Sequence, residues 1–442
     1  MTYAPVLDHI PGPPPKPIIG HTLDLLRNSY DLHKWASQRY GPIYKLKILG
    51  RWSVALNSAE GLEFILEDKD RILSSAGGWN MLHAIFPRGL MLRDFDDHRA
   101  HRRIMQAAFR KTVMDAYRNR MTETLDQLIG EWPVAYPFKF YPAVKKMTLQ
   151  MGGAVFMGLQ VDDPLVSTLN HAFKAEVAAS VSPIRRPLPF TRLRRGIRAR
   201  EYLTATFRQM IPERRLNGGD DFFSQMCLAR DEDGNAWVDE EIVNHFNFLM
   251  MAAHDTTAAS LAKMIWAIAT YPEWQDRMIA EIDALGSAPL DDAAMASLDV
   301  TERIFKECLR LMPPAPFIPR QAVRGFSFSG VDFPAGTGVA AVPCMILRSA
   351  NYWTNPDAFD PDRFLPDRAE DRSHRYAWSP FGGGAHKCIG LHFATMQVKV
   401  FMAQLLRRYR IALADDRAIR WQLVPIPYPK NGLPVCLTPR RM

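Results

Sequence analysis

The segment Phe381-Gly-Gly-Gly-Ala-His-Lys-Cys-Ile-Gly390 carries the most specific chemical signal in the chain. Its glycines permit a tight turn and a close approach of the backbone to a flat ligand. A helical pattern follows over about residues 389–408, which places Cys388 at the beginning of a helix. Unpaired backbone N–H groups and the positive end of the helix dipole favour a thiolate there. A cysteine beside a loop is more often structural, but the spacing F-G-x-G-x-H-x-C-x-G favours a chemical role for Cys388.

The bulk composition indicates one large globular unit. The chain has 442 residues, of which 47% are hydrophobic and 11% aromatic, so it can bury a large core and enclose a cavity. We find no linker or repeat and predict a single domain over 1–442, with a proline-rich lead-in at 1–20. No apolar run reaches the roughly 18 residues that a membrane span needs, and no secretory leader is present. We therefore expect a cytoplasmic monomer without a transmembrane segment.

Cysteine usage and charge limit the function classes. The five cysteines are odd in number and widely spaced, which argues against a disulfide scaffold and a cysteine-rich zinc site. The formal net charge of +8 is compatible with an acidic partner or a membrane surface. Because no nucleic-acid-binding motif accompanies this charge, we expect no nucleic acid partner.

Hydrophobic periodicity predicts a mostly α protein with small β portions (α+β). Helical patterns dominate residues 106–270, and the longest, Asp239–Thr270, is apolar on most faces, as expected of a helix through the interior. The strand-like runs Ile43–Ile48 and Ser53–Asn57 predict a hairpin near one end of the chain. Short glycine-broken strand signals and a strand-rich tail predict a second β portion near the other end.

A second motif lies in Lys306-Glu-Cys-Leu-Arg310. Glu307 and Arg310 are three residues apart, so they share one face of a helix and can pair. A surface ion pair of this kind is common and contributes little. The motif gains weight because Pro361-Asp-Arg-Phe364 follows it and supplies a further arginine, Arg363.

A third motif, Met251-Ala-Ala-His-Asp-Thr-Thr257, lies inside the long apolar helix. An acid and a hydroxyl group are costly there unless they are satisfied. Thr256 can hydrogen-bond to a carbonyl one turn earlier and deform the helix. The alternative is a solvated polar patch.

A fourth motif, Asp97-His-Arg-Ala-His-Arg-Arg103, places His98 and Arg102 on one helix face, where they can bind an anion. A basic solvated turn explains this segment alone about as well.

These four motifs, in this order and at this spacing, resemble the cytochrome P-450 family over nearly the whole chain, and the chain is similar to its soluble bacterial-type members. The resemblance implies the family fold, with haem b (iron protoporphyrin IX) between the long central helix and the Cys388 loop. Cys388 would be the axial thiolate ligand, which favours O–O bond cleavage. Phe381 would pack beside the sulfur, and Gly390 completes the haem-binding loop. The propionate contacts implied by the resemblance are His98, Arg102, Arg320 and His386.

The resemblance also assigns roles to the other motifs. Glu307, Arg310 and Arg363 would form a buried structural network that holds the cysteine loop. Asp255 and Thr256 would lie over the distal face of the haem and deliver protons to bound dioxygen. Ala253 stands where the family usually has glycine, so the local groove for oxygen differs in shape.

The implied activity is a monooxygenase that inserts one atom of dioxygen into a lipophilic small molecule, leaving terpenoid, steroid, retinoid-like and fatty acyl substrates open. Core packing is the commoner role of any one apolar residue, but the candidate pocket residues as a set suggest such a substrate. They are Trp79, Met81, Leu82, Ile85, Phe86, Phe248, Ala252, Ala315, Phe317, Ile318 and Ile426.

Electrons would come from NAD(P)H through separate proteins, an acidic ferredoxin and its reductase, since no flavin or nicotinamide fingerprint is fused to the chain. Basic residues would attract the ferredoxin to the cysteine side: Arg102, Lys387, His392 and Lys399. The basic segment 184–200 falls where the family has a mobile lid. With Leu188, Phe190 and Leu193 it is either a peripheral contact with an anionic membrane or a solvated helix start.

Three alternatives remain. A haem-thiolate peroxygenase would use peroxide, and a non-catalytic haem sensor or carrier would leave the distal relay idle; the Asp255-Thr256 pair argues against both. A helical scaffold with a reactive Cys388 thiol would dispense with haem altogether.

Overall fold

The computed structural model describes residues 6–415 and 417–440. The prediction of a mostly α chain with small β portions is confirmed within these residues. The helices are α1 (Thr22–Arg27), α2 (Ser29–Tyr40), α3 (Ala59–Glu67), α4 (Ser75–Gly78), α5 (Phe95–Gln106), α6 (Lys111–Gly130), α7 (Phe140–Met151), α8 (Pro164–Ser180), α9 (Arg192–Asn217), α10 (Phe222–Leu228), α11 (Asp239–Thr270), α12 (Pro272–Ala284), α13 (Asp292–Ser297), α14 (Asp299–Leu311), α15 (Pro343–Ile346) and α16 (Leu391–Arg408). The strands are β1 (Ile43–Ile48), β2 (Arg51–Leu56), β3 (Leu73–Ser74), β4 (Phe138–Lys139), β5 (Ile318–Ala322), β6 (Phe326–Phe328), β7 (Val331–Phe333), β8 (Gly338–Ala341), β9 (Tyr409–Leu413), β10 (Trp421–Gln422), β11 (Tyr428–Pro429) and β12 (Pro434–Pro439).

The long helix α11 runs through the middle of the molecule, over the range that its apolar pattern predicts. Its first turn carries three acidic residues, which the positive end of the helix dipole favours. Beyond that turn nearly every face is buried, since α7, α9, α14 and α16 all pack against it. A helix enclosed in this way is a fixed platform on which side chains can be held.

The two β portions predicted for opposite ends of the chain meet in one sheet. Its strand order is β1-β2-β8-β5-β3. The β1–β2 hairpin turns at Gly50, whose φ of +78° is accessible to glycine without steric cost. β8 then pairs with β2 in parallel, and a smaller sheet, β4-β12-β9, includes the last strand. The chain therefore closes on itself around the helices.

One segment, Gly384–Arg408, is long and apolar enough to cross a membrane by length and composition, with a mean hydropathy of 1.2. Of that window, 67% is buried inside the protein, as expected of a core helix. The segment contains α16, which contacts α6, α12 and α14. Burial against other helices accounts for its apolar composition.

Candidate functional site

Cys388 lies in a tight loop that ends at the beginning of α16. Its backbone N–H donates to the carbonyl of Phe381 at 2.9 Å, which closes the loop around the three glycines. Gly384 has a φ of +58°, and a Cβ atom there would lie 1.9 Å from the Leu66 carbonyl oxygen of α3, so this position requires glycine. The loop is thereby fixed between α3 and α16.

Cys388 itself is an exposed residue. Loss of solvation raises its pKa, while a hydrogen bond from the Gly390 backbone and the charge of Arg102 act in the opposite direction. A metal ion at the sulfur would displace the proton outright. The Gly390 backbone and Arg102 therefore stabilise a thiolate in part, and a metal ion bound to the sulfur would provide the rest of the stabilisation.

Four nitrogen-bearing side chains from three separate elements converge beside this loop. The rings of His98 (α5) and His386 lie 3.8 Å apart between centroids, and the positive charges of Arg102 and Arg320 act on both imidazoles. His98 and Arg320 are buried, and burial, followed by these arginines, lowers the pKa of His98 to about 4. Within residues 6–415 and 417–440, none of the four has a carboxylate partner within 4.0 Å.

A cluster of two guanidinium groups, one buried and one half-buried, is electrostatically incomplete without an anion. Burial lowers the pKa of Arg320 to about 10, and among the described residues the guanidinium donates only to the Pro319 carbonyl, at 2.9 Å. A ligand that carries carboxylates would complete the cluster through charge-assisted hydrogen bonds. The donor set therefore fits haem, whose two propionates would lie at this cluster while Cys388 reaches the iron.

The third motif lies on α11. The Thr256 hydroxyl donates to the Ala252 carbonyl at 2.7 Å, the bond that the sequence suggests, but the helix continues without interruption to Thr270. Asp255 pairs with Lys145 of α7, with Nζ and Oδ1 2.7 Å apart. Lys145 was not identified from the sequence, because nothing in its own segment marks it as a partner of a residue on α11.

The same stretch of α11 is tied to the cysteine helix. Thr257, next to Thr256, donates its hydroxyl to Gln397 of α16 at 3.2 Å. His254 is held by the Thr148 hydroxyl, 2.7 Å from Nδ1, and burial lowers its pKa to about 4. Hydrogen bonds therefore fix this part of α11 to both α16 and α7.

Glu307, Arg310 and Arg363 form a fully buried cluster. Two parallel bonds of 2.7 and 2.9 Å join Arg310 to Glu307, and Arg363 Nε donates to Glu307 Oε1 at 3.2 Å. The remaining guanidinium donors reach backbone carbonyls of residues 347–358, which lie upstream of the cysteine loop. Glu370 adds a second carboxylate at 2.8 Å from Arg363, and Trp353 lies beneath both guanidinium groups. Neither of these two residues was found from the sequence.

A further ionic cluster, also missed, links α5 to the start of α11. Glu241 accepts from Arg88 and Arg93, His101 Nδ1 lies 2.9 Å from His245 Nε2, and Arg93 donates to His101 Nε2 at 2.9 Å. The two histidines and Glu241 lie close enough to suggest a metal site. However, the two arginines already supply the positive charge that Glu241 needs, so we interpret the cluster as an ion-pair network.

Six of the proposed pocket residues come together in one apolar cluster that includes Phe248 and Ala252 of α11. They share this cluster with residues of α8 and α9. These residues are Trp79, Leu82, Ile85, Phe86, Phe248 and Ala252. The cluster therefore joins the segment before α5, the helices α8 and α9, and α11.

The other pocket candidates are not members of this apolar cluster. Met81 is 37% exposed, Phe317 packs with the cluster around α2 and β1, and Ile318 packs with the cluster around α3. Ala315 and Ile426 are half-buried. The Ala315-Pro-Phe-Ile318 stretch runs directly into β5, so sheet packing directs its side chains.

Two surface predictions are wrong. Lys399 is buried, pairs with Glu302 at 2.6 Å and donates to the Met295 carbonyl, so it cannot attract a partner protein. Leu193 is also buried, in the pocket cluster, because it lies on the inward face of α9. Lys387 and His392 are exposed, as expected, and Arg102 is half-buried.

The comparisons with known proteins agree on one family. The family model described as "Cytochrome P450" matches residues 10–428. The chain is 38% identical over 429 residues to cytochrome P450 136 of Mycobacterium tuberculosis, which covers 96% of this chain and 87% of that protein. It is 29% identical over 438 residues to pentalenene oxygenase of Streptomyces avermitilis, with 96% of each covered. Among solved structures, the retinoic acid-bound cyanobacterial CYP120A1 matches with a TM-score of 0.88 and 25% identity, over 98% of this chain and 100% of that one.

Proposed function

The chain belongs to the cytochrome P450 family and is a monooxygenase by that membership, and from this premise we propose that it hydroxylates a terpenoid or retinoid-like lipophilic molecule. One observation carries the proposal: Cys388 and a cluster of two arginines and two histidines lie together, and the cysteine helix α16 packs against α11, which bears Asp255 and Thr256. The substrate class is supported by the apolar cluster above the site and by the names of two similar proteins, one a pentalenene oxygenase and one bound to retinoic acid. Steroid and fatty acyl substrates would suit the same apolar lining.

Each side of the site has a separate task. The Cys388 sulfur would hold the iron of haem b, and His98, Arg102, Arg320 and His386 would hold its propionates. Bound haem supplies the activation of dioxygen and the insertion of one oxygen atom into a C–H bond. The apolar cluster of Phe86, Phe248 and their neighbours excludes water and positions the substrate.

A direct experiment tests this function. The purified haem-loaded protein is titrated with terpenoids, retinoids, steroids and fatty acids, and compounds that cause a low- to high-spin shift are taken to turnover with a ferredoxin, its reductase and NAD(P)H. We expect one atom of ¹⁸O from labelled dioxygen in the hydroxylated product. A peroxygenase would turn over with hydrogen peroxide alone, and a haem carrier would bind ligand without coupling electron uptake to product; either result would overturn the proposal.

Replacing Thr256 with valine is expected to uncouple electron uptake from product formation. The hydroxyl lies on α11, donates to the Ala252 carbonyl at 2.7 Å and belongs to the residue that directly follows Asp255. Positioned proton transfer typically contributes about 10² to 10⁴ in rate, so we expect product formation to fall by about 100-fold while NAD(P)H oxidation falls much less. The ratio of product to NAD(P)H consumed measures this. The matched control is Thr257→Val, which removes the neighbouring hydroxyl that bonds to Gln397; an equal loss in both variants would contradict a relay role for Thr256.

Replacing Arg320 with methionine is expected to weaken haem retention by at least about tenfold, the effect typical of losing an outer-shell partner of a metal site. The substitution keeps an unbranched side chain but removes a buried positive charge that has no carboxylate partner within 4.0 Å in the described chain. Transfer of haem to an acceptor apoprotein gives the dissociation rate. Arg324→Met is the control, since Arg324 is exposed and donates to the Asp70 carbonyl. Wild-type retention in the Arg320 variant would contradict a propionate contact.

Electron delivery and location complete the proposal. We place the chain in the cytoplasm, with an acidic ferredoxin that docks on the cysteine side, where Lys387 and His392 are exposed.

The turn before α9 exposes Ile184, Leu188 and Phe190 among arginines of the segment 184–200, which supports a peripheral contact with an anionic membrane rather than a solvated helix start. Co-sedimentation with anionic but not with zwitterionic vesicles tests the contact.

A further inference from the structure

A carboxyl group lies in the middle of an otherwise apolar face of helix α8. The buried positions of α8 recur every three or four residues, at Val166, Leu169, Phe173, Glu176 and Ala179, which is the stripe of a helix that packs on its neighbours. Glu176 is completely buried. In the part of the chain that the structure describes, no Lys, Arg or His nitrogen lies within 4.0 Å of its carboxylate oxygens. An ionised carboxylate is strongly disfavoured in such a place.

The hydrogen bonds of Glu176 show what relieves this cost. Asn247 of α11 donates from Nδ2 to Glu176 Oε1 at 2.6 Å. The second oxygen of each side chain, Glu176 Oε2 and Asn247 Oδ1, is buried without a partner. Both are acceptors if the carboxyl group is ionised, whereas a protonated carboxyl group offers one donor and one acceptor, which an amide matches with its own acceptor and donor. A single proton on Oε2 therefore provides the donor that both unpartnered oxygens need.

We propose that Glu176 is a neutral carboxylic acid in the folded protein and forms a two-bond acid–amide pair with Asn247, which makes it a positioning residue that fixes α8 against α11 above the substrate pocket. The pair lies beside the apolar cluster: Ala179 follows Glu176 by one turn, and Phe248 follows Asn247 directly. α8 and α9 cross closely here, since a Cβ on Gly196 would lie 2.1 Å from the Cβ of Ala179. Loosening α8 would therefore move the roof of the pocket.

The surrounding charges are consistent with a neutral acid. Burial is the dominant effect and raises the pKa of Glu176 from its ordinary 4.5 to about 8, against smaller opposing effects of Asn247 and of Arg200 on α9. Arg200 directs its guanidinium to Asn244 of α11, with Nη2 and Oδ1 3.0 Å apart. Further along α11, burial keeps His254 neutral near pH 7, and on α7 the charge of Lys145 is paired with Asp255.

The sign of the pH dependence follows from the raised pKa. Between pH 4.5 and about pH 8 the unfolded chain has lost this proton and the folded protein keeps it, so folding takes up a proton and stability falls as pH rises through that window. Above about pH 8 Glu176 ionises in the folded protein as well, so the second bond to Asn247 would be lost and α8 would be held less tightly against α11. Glu176→Gln replaces the acid by a neutral group of the same shape that cannot ionise, and should remove both effects.

Two measurements on the haem-loaded protein test the proposal. The first is the infrared difference spectrum between wild type and Glu176→Gln, in which we expect a protonated-carboxyl C=O band from the wild type at pH 6.5 that disappears at about pH 9. The second is the affinity for 1-phenylimidazole. In the wild type we expect this affinity to fall by about tenfold between pH 7.5 and pH 9.5, because the fraction of molecules in which α8 is held against α11 decreases. In Glu176→Gln the affinity should stay constant. Glu213→Gln, which changes an exposed carboxylate on α9, is the control and should behave as wild type.

Absence of the carboxyl band, or the same pH dependence in wild type and Glu176→Gln, would overturn the proposal. The affinity measurement rests on the proposed function, because the probe needs haem iron, whereas the infrared band does not. If the carboxyl band is present but 1-phenylimidazole does not bind, the result counts against the proposed haem site and leaves the acid–amide pair intact.

Discussion

Replacing Cys388 with serine is expected to abolish oxygen insertion while the polypeptide remains folded. Little of the fold depends on this side chain: the residue is exposed, and the backbone bond from its N–H to Phe381 does not involve the sulfur. Serine retains that bond but is a poor ligand for iron at neutral pH. We expect the red-shifted Soret band of the reduced carbon monoxide complex to disappear and turnover to fall by more than about 100-fold, beyond the ten- to hundredfold effect of an outer-shell change.

The matched control is Cys436→Ser, since Cys436 is a half-buried residue of β12 and lies outside the cysteine loop. This variant should keep both the optical spectrum and the turnover of the wild type. If Cys388→Ser bound porphyrin iron with an unchanged spectrum, the assignment of the axial ligand would be wrong. Circular dichroism of both variants separates a lost ligand from a lost fold.

The long helix shows how much of the fold a sequence pattern can predict. Residues 239–270 are apolar on nearly all faces, so the range of the helix and its place in the interior follow from the sequence alone. Pairing between distant strands does not follow in this way. The parallel pairing of β2 with β8, which joins Val54 to Val339, depends on how the helices bring the two ends of the chain together.

The same limit applies to the site. Motif spacing indicated Cys388, Thr256 and the Glu307 cluster because each lies in a local pattern. The partners that satisfy them come from other elements: Lys145 pairs with Asp255 from α7, and Glu370 pairs with Arg363 from a turn. Charge balance in a buried site is a property of the folded protein, and only the structure shows which residues provide it.

Removing the carboxylate of Glu307 should have the largest effect on stability of any single change considered. In Glu307→Ala, two fully buried guanidinium groups would lose their shared anion, although their bonds to backbone carbonyls would remain. Breaking a buried ion pair by removing one partner costs about 3–5 kcal/mol, a large part of the roughly 5–15 kcal/mol by which proteins are stable. We expect low yields of folded, haem-containing protein and a much lower midpoint in urea unfolding followed by circular dichroism. Glu307→Gln keeps the shape but not the charge, so it should fall between alanine and the wild type.

The control for this prediction is an ion pair of similar chemistry at the surface. Asp276 of α12 and Arg410 of β9 lie 2.7 Å apart, but both are more than half exposed, so solvent screens their attraction. Asp276→Asn should therefore change the free energy of unfolding by less than about 1 kcal/mol. The contrast between the two carboxylates separates burial from pairing as the source of the effect, since both take part in ion pairs and only Glu307 is removed from water. Equal losses in Glu307→Gln and Asp276→Asn would show that the buried cluster does not hold residues 347–363 in place, and the supposed support of the cysteine loop would have to lie in the apolar packing around Trp353 and Phe364.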